Sequence, residues 1–344
     1  MRSPRLLSLL SINRSFSTQR SSSLAQKMPR LNPTSQKAID RLRAYQPPAT
    51  SYDLVPLSRR AAVLILLYAD SKGDLRVVLT MRAKTLSSYA GQAAFPGGRA
   101  DSVEETPFQT ARREAHEEIS LADIGQTLPH PFSVEHLCEF PANLARTELV
   151  VRPCVALLHS YDETTNSNAD PEVSLIPKLD AREVAAVFTA PFSNFLSMRD
   201  EEEWVVGDRS SNHVKPEDWY QGAWTEWHQS NWRMHQFFVP IRPEAVVKPR
   251  ARTRSEYLKV AFSELEEKEK AGEVVRYRVW GMTARMLVDV ARVAYEREPA
   301  FEHSSHLGDE EMIARLRRLG RLSPIRRSGD VLTREDMEKA AKLS

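Results

Sequence analysis

The stretch that decides the reading is Phe95–Leu121, FPGGRADSVEETPFQTARREAHEEISL. It divides into a glycine-bearing loop and a helix. Thr106 is a helix N-cap, Pro107 suits the first turn, and Gln109 three residues on can return a hydrogen bond to close a capping box. Phe108, Ala111, Ala115 and Ile119 then recur at three- and four-residue steps, which predicts one apolar stripe laid on a sheet.

The rest of the helix is free for chemistry. Glu114, Glu117 and Glu118 lie at i, i+3 and i+4, so their carboxylates share about a 100° arc beside the stripe. Glutamates on a helix are ordinarily a solvated face. Here two features argue for more. Gly97 and Gly98 sit just upstream, where a backbone without Cβ can come close to a phosphate oxygen. Arg113 and Glu105 bracket the helix start and can pair. Crowded carboxylates of this kind suit a hard cation with oxygen ligands, Mg²⁺ or else Mn²⁺.

Arg113-Glu114-Ala115-His116-Glu117-Glu118, with Glu105 eight residues before Arg113, resembles the Nudix box, the motif of hydrolases that split a nucleoside diphosphate from another group. Gly98 lies one residue further from Glu105 than the general pattern has it, a feature associated with the coenzyme A diphosphatase branch. Ser120 replaces the usual glycine. Upstream, Leu79-Thr80-Met81-Arg82-Ala83, Gly91 and Phe95-Pro96-Gly97-Gly98 resemble the signature of that branch, with Ser87 in place of a spaced arginine.

The resemblance implies an α/β Nudix fold, a mixed sheet sandwiched between helices. It implies cleavage of coenzyme A or its derivatives to 3′,5′-ADP and 4′-phosphopantetheine. Glu114, Glu117 and Glu118 would hold the metal, Glu105 and Arg113 would orient them, and Arg82, Lys84, Gly91, Phe95, Gly97 and Gly98 would bind substrate. Family members differ in which carboxylate activates water, so no general base is assigned. Two rival readings are a Nudix hydrolase of ADP-ribose, NADH or capped RNA, and a silent nucleotide-binding module; three intact box glutamates argue against the second.

The remainder supports a globular enzyme. The chain has 344 residues, 41% hydrophobic and 27% charged, enough for a sizeable core. Residues 1–39 hold seven of the 48 Lys and Arg and no acid, which leaves 41 bases against 46 acids in the rest. That mildly acidic body argues against a nucleic-acid partner. No apolar run is long enough for a membrane span, and Cys138 and Cys154 lack metal-ligand spacing.

The basic, serine-rich start is expected to be a transit peptide or disordered segment over residues 1–45, with Arg14–Thr18 resembling a mitochondrial processing site. Peroxisomal targeting is the alternative, since the chain ends one residue past a tripeptide of that type. Ala61–Tyr68 and Leu75–Thr80 predict a hairpin around Asp70–Asp74, followed by strands near Phe132–Phe140, Glu148–Leu158, Glu183–Phe188, Arg233–Pro240 and Val274–Trp280. Pro191-Phe192 resemble the segment where Nudix domains start a second helix, which that resemblance implies after Phe192, and a further helix is expected over Thr283–Glu298.

Together these place a Nudix domain at 50–300, with insertions around 199–232 and 243–273. Residues 301–344 are expected to be a helical, basic tail packed on the domain or making a homodimer contact. Five of the six tryptophans fall between Trp204 and Trp232. Packing of a long hairpin is the commoner role for such rings, and stacking on an adenine the alternative.

Overall fold

The first strand sets the architecture, because its successive side chains must face opposite ways. In the computed structural model, Ala61, Ile65 and Leu67 join one core, while Ala62, Leu64, Leu66 and Tyr68 join another. A strand buried on both faces needs a layer on each side. The structure describes residues 31–82, 92–169, 171, 184–200, 219–227, 230–240, 246–247, 276–324 and 332–343.

In chain order the elements are α1 (Pro33–Ala44), β1 (Arg60–Ala69), β2 (Leu75–Arg82), β3 (Ala93–Ala94), β4 (Gly97–Arg99) and α2 (Pro107–Ile119). Next come β5 (Ser133–Glu139), β6 (Asn143–Leu144), β7 (Val150–His159), the short pair β8 (Tyr161–Asp162) and β9 (Ser167–Asn168), and β10 (Val184–Pro191). The chain continues through β11 (Tyr220–Trp227), β12 (Ser230–Pro240), β13 (Val246–Val247), β14 (Arg276–Trp280), α3 (Gly281–Tyr295), α4 (Glu310–Arg318) and α5 (Arg334–Ala341).

Nine strands form the main sheet, in the order β13-β10-β2-β1-β7-β5 with β3, β4 and β6 attached at its sides. Only the β1–β7 pair is parallel, so the sheet is mixed. Helix α2 covers one face through Ala111, Ala115 and Ile119. Helices α1 and α3 cover the other, and the expected α/β/α sandwich is what forms. A second sheet, β11-β12-β14, packs against α3 through Phe237, Val239 and Val279.

Two expectations change. Residues 33–44 are not part of a disordered leader: Asn32 caps α1, and Ala38, Ile39 and Leu42 are fully buried in the main core. An apolar face of that kind is held by tertiary packing, which an arginine- and serine-rich composition does not reveal. After β10 there is a single 3₁₀ turn, Phe192–Leu196, in place of a second helix. After β7, the short strands β8 and β9 pair antiparallel.

Of the two expected insertions, the one around 199–232 lies outside the described residues at 201–218 and contributes the β11–β12 hairpin beyond, and the one at 243–273 lies outside them apart from β13, including Arg252, Arg254 and Glu264–Lys270. The tail does pack on the domain. Ile313 and Leu316 of α4 and Met337 and Ala340 of α5 join Tyr52, Val55, Ala142, Leu144 and Val150 in a third core. Cys138 and Cys154 are buried and unpaired, and burial pushes the Cys138 thiol up to about 12, so both are inert packing groups.

Candidate active site

The helix α2 begins as its caps dictate. Thr106 accepts from the Gln109 backbone and the Gln109 side chain accepts from the Thr106 backbone. It ends on Ser120 in the left-handed region, φ 56°, as the position requires. With its stripe fixed on β1, the opposite edge of the helix lies over β4.

Both glycines of β4 are needed for packing inside the protein. A Cβ on Gly97, where φ is +153°, would collide with the Ala62 carbonyl and sit 2.7 Å from Val63 Cα, so only glycine lets β4 lie this close to β1. A Cβ on Gly98 would fall within the Glu114 carboxylate, 2.6 Å from Oε2. The space opened at Gly98 is therefore taken by a side chain of the protein. This differs from the sequence expectation of a bare backbone facing phosphate.

Glu118, buried on α2, accepts from Gly97 N at 3.3 Å through Oε2, and its Oε1 lies 3.7 Å from Arg82 Nη1. Glu105 holds the arginine: its Oε1 accepts from Arg113 Nε at 2.8 Å, and its Oε2 from Asp101 N at 2.9 Å and Thr110 Oγ1 at 3.0 Å. Burial works to raise the Glu105 carboxyl, but these donors outweigh it and leave it below the usual range. Arg113 Nη2 donates to the Arg99 carbonyl, tying β4 to α2, and Nη1 lies 3.3 Å from Glu114 and 3.4 Å from Glu117. The hydrogen bond from Arg113 to Glu105 raises the guanidinium pKa further.

The structure thus brings together Glu105, Arg113, Glu114, Glu117, Glu118, Arg82, Gly97 and Gly98. Glu117 stands apart in one respect: half its side chain is exposed, against 16% for Glu114 and 4% for Glu118. Phe95 is not a substrate contact. Its ring, two residues ahead of β4, is buried in the core on the α1 and α3 face, across the sheet from α2. Lys84, Ser87 and Gly91 lie outside the described residues. Thr110 and Asp101, which complete the Glu105 anchor, carry no sequence signal that separates them from other helix and turn residues.

The donor set is all carboxylate, and four glutamates face two guanidiniums, so a divalent cation with a preference for oxygen fits its chemistry. Among the described residues no three His, Cys, Asp or Glu side chains are gathered as a ready metal cage. Arg113 Nη1 supplies the positive charge shared by Glu114 and Glu117.

An α2-type acidic helix braced on a glycine strand of a mixed sandwich defines a class of diphosphate-cleaving hydrolases, and comparison with known proteins agrees. The NUDIX domain profile matches residues 58–192. Peroxisomal coenzyme A diphosphatase 1 of Saccharomyces cerevisiae is 30% identical over 265 residues, 74% of this chain and 74% of that protein. Two Arabidopsis thaliana proteins are each 31% identical: Nudix hydrolase 22, chloroplastic, over 78% of this chain and 66% of its own length, and Nudix hydrolase 15, mitochondrial, over 71% and 61%. The chain belongs to the Nudix family and is a Nudix pyrophosphohydrolase.

Proposed function

We propose that the substrate is coenzyme A or one of its thioester or oxidised derivatives, cleaved at the diphosphate to 3′,5′-ADP and 4′-phosphopantetheine or its acylated equivalent. The observation that carries this reading is the brace of Glu114 and Glu118 against Gly97–Gly98, within a sequence that carries the FPGG signature and is similar to a yeast coenzyme A diphosphatase.

Glu114 and Glu118 are the ligands of Mg²⁺ or Mn²⁺ in this reading, with Glu117 a further or water-mediated contact. When bound, the cation neutralises phosphate oxygens and lowers the pKa of a water. The protein's own groups do the positioning. Glu105 fixes Arg113, Arg113 fixes Glu114 and the β4 backbone, and the helix presents the carboxylates from a rigid element. Arg82 supports anion binding: its Nε is buried and has no hydrogen-bond partner among the described residues. Lys84 and Gly91 complete the substrate contacts by resemblance.

Purified full chain incubated with coenzyme A and Mg²⁺ is expected to release 3′,5′-ADP, and chelation to stop it until Mg²⁺ or Mn²⁺ is restored. Hydrolysis of ADP-ribose alongside intact coenzyme A would overturn the substrate. Residues 1–32, ahead of α1, serve as the mitochondrial import segment in this reading. Imaging of the tagged full chain checks it, and coincidence with a peroxisomal marker would replace mitochondrion by peroxisome.

A further inference from the structure

The segment that leads into the site glycines is held almost residue by residue. The Gln92 carbonyl accepts from Arg82 N at 3.0 Å, and the Ala94 carbonyl accepts from Thr80 Oγ1 at 3.2 Å. The Phe95 ring is buried in the core, and the Pro96 carbonyl accepts from Leu64 N at 2.8 Å. Gly97 N then donates to Glu118, and Gly98 lies against Glu114. That leaves Ala93.

In an antiparallel pair, opposed residues alternate between bonded and non-bonded positions. Gln92 is bonded to Arg82, so Ala93, opposite Met81, falls at a non-bonded position and turns its carbonyl away from β2. Strand β3 is two residues long, and among the described strands it pairs with β2 alone. The donor that meets the Ala93 carbonyl among the described residues is Thr283 Oγ1, at 3.4 Å, from the first turn of α3.

Thr283 reaches β3 because of how α3 begins. Gly281, at φ +65° in the left-handed region, turns the chain from β14 into the helix, and β14 lies against β3. A helix threonine ordinarily returns its hydroxyl to a carbonyl three or four residues back. For Thr283 those residues are Trp280 and Val279, in the strand ahead of the helix, and the hydroxyl crosses to β3 instead. Thr283 also lies outside residues 58–192, which match the NUDIX profile. The bond therefore joins a later part of the chain to the glycine segment of the site.

A two-residue strand bonded along one edge can rotate about that edge. Burial of Phe95 resists this, but apolar packing has no direction, whereas a hydrogen bond does. Rotation would be felt at Gly97 and Gly98, where the spacing is so tight that a Cβ on either would collide. The Gly97 N–Glu118 bond is already 3.3 Å long. We propose that Thr283 is a positioning residue for the Nudix reaction: its hydroxyl fixes the edge of β3 away from β2 and so holds Gly97 and Gly98 under Glu118 and Glu114. The proposal rests on those two glutamates being the working carboxylates and not on which diphosphate is cleaved.

Two variants of the full chain test it. Thr283→Val keeps the shape and removes the donor, and Thr283→Ser keeps the donor. Hydrogen exchange, read by mass spectrometry without metal or substrate, is expected to speed about tenfold at Gly97 and Gly98 in Thr283→Val, with the β11–β12 hairpin and the tail unchanged. The same variant is expected to lose about tenfold in kcat with KM kept within about twofold, because the hydroxyl acts through the carboxylates and touches no substrate. Thr283→Ser is expected to restore both. Unaltered exchange at the two glycines, unaltered kcat, or a serine variant that behaves like the valine one overturns the proposal. So does faster exchange throughout the domain with a lowered denaturation midpoint and kcat per folded molecule kept, which would make the hydroxyl a matter of stability alone. Should the unaltered chain leave coenzyme A intact, kcat is measured on ADP-ribose, so the substrate reading and this one fail separately.

Discussion

Two clusters of glutamate and arginine in this molecule are built from the same residue types and differ in kind. Around α2, Glu105, Glu114, Glu117 and Glu118 face Arg113 and Arg82, acid in excess and partly open to solvent. Under the tail, Glu148 is shared by Arg59 Nη1 at 2.8 Å and Arg321 Nη2 at 2.7 Å, with Glu148 and Arg59 both buried. Arg59 Nε also donates to the Ser323 carbonyl, so this buried knot straps residues 321–323 to the domain. An ion cluster whose charges are met within the protein serves the fold, whereas one left with surplus carboxylate serves chemistry with a cation.

That contrast can be broken by moving the same substitution between the two places. Glu148→Ala leaves Arg59 buried without its partner and is expected to cost about 3–5 kcal/mol of stability, read as a lower denaturation midpoint, with turnover per folded molecule kept. Glu118→Gln is expected to lower turnover by about 10²–10³-fold at an unchanged or raised midpoint, because it removes a charge from a like-charged group. If Glu118→Gln unfolds the protein instead, or Glu148→Ala abolishes turnover in the folded fraction, the division of labour is wrong. Ser120→Gly is the smallest and most local test. It relieves a serine held at φ 56° and is expected to raise stability by about 1 kcal/mol or less with turnover unaffected.

Much of the site was legible before any coordinates, for a physical reason. Thr106, Pro107, Gln109, the Phe108–Ile119 stripe and the glutamates at i, i+3 and i+4 are local features, and local features are fixed by helix geometry alone. The pairing of Glu105 with Arg113 followed from the same reasoning. The glycines were legible as necessary but not for their cause, since nothing in the chain says that the Glu114 carboxylate will occupy the space over Gly98. Phe95 stands in the motif and yet packs in the core, because a motif records which residues recur and not which of them the core buries.

The N-terminal boundary failed similarly. Composition marked residues 1–45 as a leader, but Ile39 and Leu42 belong to the main core through α1. The five clustered tryptophans carried two meanings, and burial distinguished Trp219 from Trp224 where spacing could not.

What the sequence by itself determined is the β1–β2 hairpin, α2 with its caps, the mixed sandwich and the family, because periodicity, capping and motif spacing act over a few neighbouring residues. What only the tertiary structure decided is which groups meet: Glu114 with Gly98, Glu118 with Gly97 and Arg82, Glu148 with Arg59 and Arg321, and Trp224 with Arg233 and Glu302. Those meetings depend on strand register and on layers packing from distant parts of the chain, and such contacts exist only once the whole core has closed.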